Sequence, residues 1–189
     1  MPSAFLVYLH DKRTRMKALS LLFILHIFIF ANSIVLPENF QAKFTQKITN
    51  PKNKVINYSG KVLFSHKTLL KWEYLKPTKK EVCTNGRELL VVDHDLEQVS
   101  NYYINKGFNF TKILQNAKLH SPNIYVALYE GKQYTIQTDK RNRLRSVAYF
   151  DDLDNKVQIV FKNVRYGNKK ISSNKMKCNY PKDYDIIRG

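Results

Sequence analysis

The stretch 60–99 constrains the fold more than any other part of the chain, because its apolar side chains recur at every second position. By this alternation, one side of two successive segments carries Val62, Phe64 and His66, and then Leu70, Trp72 and Tyr74. A period of two is typical of β-strands. Asn85-Gly86 supplies residues that tolerate the positive φ of a tight turn, so a second hairpin follows the first. The stretch therefore predicts four consecutive antiparallel strands with one strongly aromatic face.

Similar patterns continue the sheet towards the C terminus. Further strands are predicted at 97–104, 124–129, 133–138, 144–151 and 156–164, with one or two short ones around 176–178 and 185–187. Two segments instead suggest helices. In 36–48, Phe40, Phe44 and Ile48 recur every fourth position, and in 108–118 Asn109 is a plausible helix cap. About ten strands and two or three helices predict a single curved antiparallel sheet with helices packed on its concave face.

Residues 1–33 have the features of a cleaved secretory signal. Met16-Lys17 opens a basic segment, 18–30 is an apolar run of 13 residues, and Ala31-Asn32-Ser33 offers small residues to a signal peptidase. The run is too short for a typical transmembrane helix, which needs about 20 apolar residues. We therefore predict a signal peptide over 1–33, with Met16 as an alternative start, and one domain over 34–189.

The chain has a large excess of positive charge, +17 for 189 residues. Residues 1–33 hold four bases and one acid, so +14 is left once they are removed. A basic exported protein is attracted to anionic surfaces such as phospholipid head groups or acidic glycolipid. For any single lysine, an ordinary solvated face is the alternative.

Two cysteines are present, Cys83 and Cys178, and both follow the predicted signal. In an oxidising compartment they could form a disulfide that restricts the unfolded chain by about 4 kcal/mol. Two buried free thiols are an equal alternative at this point. We expect no metal site, because there is no Cys-x-x-Cys spacing and neither cysteine has a histidine nearby in the sequence.

No catalytic set is visible in the sequence. It lacks a Gly-x-Ser-x-Gly elbow, a phosphate-binding glycine loop and a His-Glu-x-x-His motif. Asp93-His94-Asp95 could be drawn as a metal or acid–base cluster, but a turn is the better interpretation. We therefore expect neither an enzyme nor a cofactor. The large rings instead favour a cavity that the protein's own side chains fill incompletely, since an ordinary core would use mostly Leu, Ile and Val.

Several segments, in this order and spacing, resemble the LolA family of periplasmic outer-membrane lipoprotein carriers. They are FTQ at 44–46, LKWEY at 70–74 followed by Pro77, Asn85-Gly86, and DLEQV at 95–99, within a region from about Leu36 to Ile187. The resemblance implies an incomplete antiparallel β-barrel of about ten or eleven strands, closed by a lid of two or three helices.

The resemblance also implies a function. A protein of this family is a periplasmic chaperone, expected here as a monomer, that holds the acyl chains of lipoproteins released from the inner membrane and carries them to the outer membrane. The implied partners are acylated lipoproteins, an inner-membrane ATP-driven lipoprotein-releasing complex, and an outer-membrane acceptor or the outer membrane itself. Nucleic acid is not among them.

The aromatic face and the resemblance together predict which side chains contact acyl chains. They are Val62, Phe64, Leu70, Trp72 and Tyr74 on the sheet, with Phe40 and Phe44 on the lid. Six positions before the tryptophan, where the family often has an arginine that bonds to the lid, this chain has His66, with Lys67 beside it. An imidazole cannot reproduce the fork of a guanidinium, so a lid contact made by His66, or shared with Lys67, is expected to be weaker.

Three alternatives stay open from the sequence. An outer-membrane acceptor of the same fold would need a lipidated cysteine at the cleavage site, and 31–34 has none. A periplasmic module that binds anionic glycolipid or an envelope-stress partner through a basic face would account for the charge. An exported hydrolase would need a nucleophile and a base in a recognisable motif.

Overall fold

A computed structural model describes residues 34, 38–66, 68–103, 109–167 and 171–188. They belong to a compact unit, Asn32–Gly189. The signal peptide predicted over 1–33 lies outside the described residues and stays a prediction. The described strands are β1 (Asn39–Thr49), β2 (Val55–Ser65), β3 (Leu69–Lys76), β4 (Lys80–Thr84), β5 (Glu88–Asp93), β6 (Gln98–Tyr103), β7 (Lys118–Ser121), β8 (Ile124–Tyr129), β9 (Lys132–Thr138), β10 (Leu144–Phe150), β11 (Lys156–Gly167) and β12 (Asp185–Arg188). The described helices are α1 (Phe110–Gln115) and α2 (Ser173–Met176).

The strands form one open sheet in the order β12-β6-β5-β4-β3-β2-β1-β11-β10-β9-β8-β7. Neighbouring strands are antiparallel except for β12, which runs parallel to β6. The predicted open, mostly antiparallel sheet is confirmed, with twelve described strands where ten or eleven were expected. The additional strands are β1 and β7, whereas the strand expected around 176–178 is wrong because α2 ends there.

The first predicted helix, over 36–48, is wrong where the chain is described, since β1 occupies Asn39–Thr49. Phe40, Phe44 and Ile48 recur every fourth position, and a spacing of four fits a period of two as well as a helical turn. The strand is central, because it pairs with β2 on one side and β11 on the other. Phe40 and Phe44 therefore belong to the sheet and not to a lid.

The second predicted helix is confirmed as α1, although it is shorter than 108–118. Asn109 caps it by accepting the backbone N–H of Lys112 at 3.0 Å. Its buried residues are Phe110, Thr111, Ile113 and Leu114. The concave side of the sheet, on which α1 packs, is its inner face. The helix α2 leads into the C-terminal segment on the outer face, so α1 is the one helix over the inner face among the described residues. The expected lid of two or three helices thus reduces, in the described part of the chain, to six residues.

The predicted turns are where the sequence places them. Asn85 Oδ1 accepts the backbone N–H groups of Arg87 and Glu88, and Gly86 has φ +88°. Asp93 Oδ1 accepts those of Asp95 and Leu96, which confirms that Asp93-His94-Asp95 forms a turn.

The sheet is strongly curved. Trp72 on β3 and Phe161 on β11 lie three strands apart, which in a flat sheet is about 14 Å. Their ring centroids are 6.0 Å apart. Gly60 helps this part of the sheet to bend, because a Cβ on it would overlap the carbonyl oxygen of Glu73 and press on the ring of Phe44. The curvature turns the inner-face side chains of the central strands towards one another.

The C-terminal segment 177–188 covers the outer face of β3–β6. Cys178 forms a disulfide with Cys83 on β4, with a Cα–Cα distance of 5.8 Å, so the structure contains one of the two states that the sequence left open. On the outer side of β5 and β6, Val92 and Val99 are fully buried. The segment ends as β12, which adds to the sheet beside β6.

A buried ion pair lies under this segment. Lys71, on the outer side of β3, has its Nζ 2.9 Å from Glu81 Oε2 and donates to the carbonyl oxygen of Lys177 at 2.9 Å. The backbone N–H of Asn179 donates to the same Glu81 carboxylate at 3.0 Å. The polar groups of the sheet and of the C-terminal segment therefore satisfy one another.

Candidate functional site

Closely packed aromatic rings occupy the inner face of the central strands. Their centroids are separated by distances from 4.8 Å, between Phe44 and Trp72, to 6.4 Å, between Phe110 and Phe161. Most pairs are tilted or edge-to-face, which is the arrangement that aromatic quadrupoles favour. This ring cluster consists of Phe40, Phe44, Phe64, Trp72, Tyr74 and Phe161 on the sheet, and Phe110 of α1 packs against it.

The structure brings all seven side chains that were predicted to contact acyl chains to one face. Cross-strand pairs place Phe40 opposite Phe64, and Val62 opposite Trp72. The six residues Phe40, Phe44, Val62, Phe64, Leu70 and Trp72 are each at most 7% exposed. The structure shows these residues together on one face, whereas their contact with acyl chains stays a prediction.

Tyr74 lies at the border of the ring cluster. Its hydroxyl donates to Gln46 Oε1 at 3.1 Å, and its ring is 5.2 Å from that of Phe44. Burial, with a smaller effect of Tyr58, raises the pKa of Tyr74 to about 12. The burial of the hydroxyl is the main cause of this rise, because it disfavours the charged phenolate.

The helix α1 closes the ring cluster. The ring of Phe110 lies 5.9 Å from that of Phe40 and 6.1 Å from that of Phe64, and Ile113 is fully buried. Phe110 and Phe161 were missing from the predicted site. The spacing Val157, Ile159, Phe161 would have indicated an inward-facing strand, but only the pairing of β11 with β1 places Phe161 beside Phe44.

An accessible apolar strip continues the inner face beyond the ring cluster. Val82 lies opposite Trp72, and Val91 lies opposite Val82. Leu89, two residues before Val91 on β5, belongs to the same face. Val82, Leu89 and Val91 are all half-buried. We call Val82, Leu89 and Val91 the inner strip. The inner strip was not identified from the sequence, because the sequence of β5 is a continuous apolar run. The run is continuous because the outer side of β5 is covered as well.

His66 does not continue the inner side of β2, contrary to the alternation. The strand ends at Ser65, and His66 adopts φ +54° in the turn that follows, where it is exposed. Its backbone N–H donates to the carbonyl oxygen of Glu38 at 3.0 Å, and its Nδ1 lies 2.8 Å from Ser65 Oγ. Lys67 lies outside the described residues. A lid contact by His66 or Lys67 therefore stays a prediction.

The site is suited to apolar burial. Glu81, Cys83 and Cys178 bring a carboxylate and two sulfur atoms together, but both sulfurs belong to the disulfide and are not thiolate ligands. That group also lies on the outer face, away from the ring cluster. The inner face carries rings and aliphatic side chains, of which most of the rings are buried under α1 and the inner strip is half-buried.

Comparisons with known proteins agree with this architecture. Residues 37–177 match the family described as "Outer membrane lipoprotein carrier protein LolA". The chain is 36% identical over 149 residues to the outer-membrane lipoprotein carrier protein of Campylobacter jejuni, covering 79% of this chain and 86% of that protein. It is 30% identical over 125 residues to that of Wolinella succinogenes, covering 66% and 73%. The chain therefore belongs to the LolA family, and the resemblance inferred from the sequence is confirmed.

A solved structure shares the fold. The crystal structure of an uncharacterized conserved protein from Thermus thermophilus superposes with a TM-score of 0.53 at 14% sequence identity, covering 82% of this chain and 92% of that one. At this identity the likeness concerns the fold alone. Among the described residues, no helix has the length and apolar character needed to cross a membrane.

Proposed function

We propose that this protein binds the acyl chains of lipoproteins and carries them through the periplasm from the inner to the outer membrane. The observation that carries the proposal is the ring cluster, an apolar inner face covered by a six-residue helix. The proteins named outer-membrane lipoprotein carriers in other bacteria support it. A chain of about 16 carbons gains roughly 12 kcal/mol on leaving water, so it requires an apolar site of this kind while it crosses the periplasm.

In the proposed mechanism the acyl chain enters along the inner strip and replaces α1 on the ring cluster. Withdrawing Phe110, Ile113 and Leu114 from the cluster costs about 6 kcal/mol, at roughly 2 kcal/mol for each buried apolar side chain. That cost offsets about half of the gain from the acyl chain. Binding is then strong enough for transport and weak enough for release.

The direction of transport has to come from the partners, because a reversible site gives none. We propose that an inner-membrane ATP-driven lipoprotein-releasing complex loads the carrier. An outer-membrane acceptor, or the outer membrane itself, then receives the lipoprotein. The proposed periplasmic location rests on the signal peptide predicted over 1–33.

The single tryptophan gives a direct test, since Trp72 lies inside the ring cluster. A lipopeptide whose acyl chains carry bromine atoms quenches tryptophan fluorescence only at contact distance. We expect titration with it to quench most of the emission of Trp72, and the same lipopeptide without bromine to leave the emission largely unquenched. Binding detected by calorimetry without this quenching would contradict the proposed site.

A charged side chain in the inner strip provides a second test. Leu70→Glu is unsuitable because Leu70 is only 6% exposed and a carboxylate there would destabilise the fold. Val91→Glu can keep its carboxylate hydrated, so we expect a folded protein with at least about ten-fold lower affinity for the lipopeptide. Val55→Glu, at an exposed position at the start of β2, is the matched control and should bind normally.

In the native cell, depletion of the protein should leave lipoproteins in the inner membrane. Membrane fractionation after depletion measures this directly. Normal delivery of lipoproteins to the outer membrane would exclude the proposed role even if the purified protein binds acyl chains.

A further inference from the structure

A row of like charges crosses the outer face of the three central strands. Lys43 on β1 lies directly opposite Lys61 on β2 and directly opposite Lys162 on β11. All three side chains are exposed. Directly opposed like charges destabilise a strand pair, so the row is more favourable once a counter-charge lies against it.

A groove beside the row adds a fourth base. It has a volume of about 290 Å³ and lies at the bulge where the β1–β11 register shifts. The residues that line it are Gln41, Ala42, Lys43, Lys61, Val62, Leu63, Asn163 and Arg165. They include three bases and no acid. We call Lys43, Lys61, Lys162 and Arg165 the basic face.

The basic face is barely neutralised by the protein itself. Lys61 has Glu73 as a neighbour across β2 and β3, with Nζ 3.8 Å from Oε2. Among the described residues, Lys43, Lys162 and Arg165 have no ion-pair partner. On the outer face of β3 and β4, by contrast, Lys71 is paired with Glu81. The central strands thus carry a patch of positive charge that the protein itself leaves largely unneutralised.

We propose that the basic face docks onto an anionic phospholipid membrane through the head-group phosphates. The guanidinium fork of Arg165 suits a phosphate, and flexible lysines suit a mobile layer of charged head groups. The row of lysines extends over about 10 Å, which allows several head groups to be contacted at once. Docking also leaves the inner strip free, because it lies on the other face of the sheet. The inference holds whether or not the protein carries lipoproteins.

Sedimentation with lipid vesicles tests the proposal. The probe is a vesicle of phosphatidylcholine mixed with anionic phosphatidylglycerol, and pure phosphatidylcholine is the neutral comparison. Each base near an anionic surface contributes about a five-fold gain in binding, so we expect the triple variant Lys43→Gln/Lys61→Gln/Lys162→Gln to bind the anionic vesicles about a hundred-fold more weakly. Its unfolding temperature should be unchanged or higher, because the repulsion within the row is removed.

The matched control has the same loss of net charge at exposed turns, as Lys52→Gln/Lys140→Gln/Lys182→Gln. We expect it to lose less than about five-fold. Equal losses in the two triple variants would overturn the proposal in favour of attraction by net charge alone. Equal binding to neutral vesicles would overturn it too. Release by millimolar inorganic phosphate at constant ionic strength would assign the face to free phosphate and not to a membrane.

Discussion

The two faces of the sheet are covered in different ways. On the inner face, α1 lays Phe110, Ile113 and Leu114 on the ring cluster. On the outer face, the C-terminal segment is fixed by a disulfide, by hydrogen bonds to Lys71 and Glu81, and by strand pairing of β12 with β6. One cover relies on apolar contacts and the other on covalent and directional ones.

The difference indicates which cover moves. An acyl chain can replace the contacts of α1, because apolar burial is not directional. It cannot replace a disulfide or a buried ion pair. We therefore expect α1 to leave when a ligand binds and the C-terminal segment to stay in place. Substitutions in each cover can test this contrast.

Removing the disulfide should have the largest effect on stability. Cys83 and Cys178 are 95 positions apart, so their link restricts the unfolded chain strongly. We expect Cys83→Ala/Cys178→Ala to lower the free energy of unfolding by about 4 kcal/mol in urea titration. Lipopeptide affinity of the folded protein should be unchanged, because the linked segment stays outside the site. A loss below about 1 kcal/mol would show that the segment is held mainly by its other contacts.

Breaking the buried ion pair should cost somewhat less. Lys71→Met leaves the Glu81 carboxylate buried with the backbone N–H of Asn179 as its remaining described partner, so we expect a loss of about 3 kcal/mol. Adding Glu81→Gln removes the unpaired charge and keeps an acceptor for Asn179. The double variant should therefore recover at least half of the loss, measured as a double-mutant cycle. Equal stabilities of the single and double variants would show that the charges contribute little.

High pH probes how dry the ring cluster is. The pKa of Tyr74 is about 12 in the folded protein, against about 10 for a tyrosine in an unfolded chain. The folded state therefore has its full stability below about pH 10 and loses it as the pH rises towards 12, by about 2 kcal/mol from this residue. Tyr74→Phe should flatten the stability profile between about pH 10 and 12. Parallel profiles for the two proteins would mean that water reaches Tyr74.

The sequence predicts the sheet well, because strand periodicity and turn residues are local signals. β2–β6 and β8–β11 lie close to their expected positions, and the inward set from Val62 to Tyr74 follows from alternation alone. The same reasoning fails at β1. Phe40 and Phe44 fit both periods, and only pairing with β2 and β11 decides between them.

Other features of the structure depend on contacts between segments that are distant in the sequence. Lys71 looks like a solvated residue between Leu70 and Trp72, yet it is 6% exposed because the C-terminal segment lies over it. Because that segment covers the outer side of β5, Leu89-Leu90-Val91-Val92 has apolar side chains on both faces. The strand therefore shows no alternation from which the inner strip could be predicted. His66 does not follow the alternation, because its positive φ turns the chain after β2. The polarity of the residue gives no sign of this turn.

The smallest predicted effect concerns the cap of α1. Asn109→Ala removes the acceptor of the Lys112 backbone N–H and should destabilise α1 by about 1 kcal/mol. If α1 has to leave the ring cluster before an acyl chain enters, a weaker α1 opposes binding less, and the affinity for the lipopeptide rises up to about five-fold. Hydrogen exchange at the amides of Ile113 and Asn116, which bond within the helix, should accelerate. Asn179→Ala, in the fixed C-terminal segment, is the control and should change neither quantity. A fall in affinity together with faster exchange would mean that α1 is part of the bound site and not its cover.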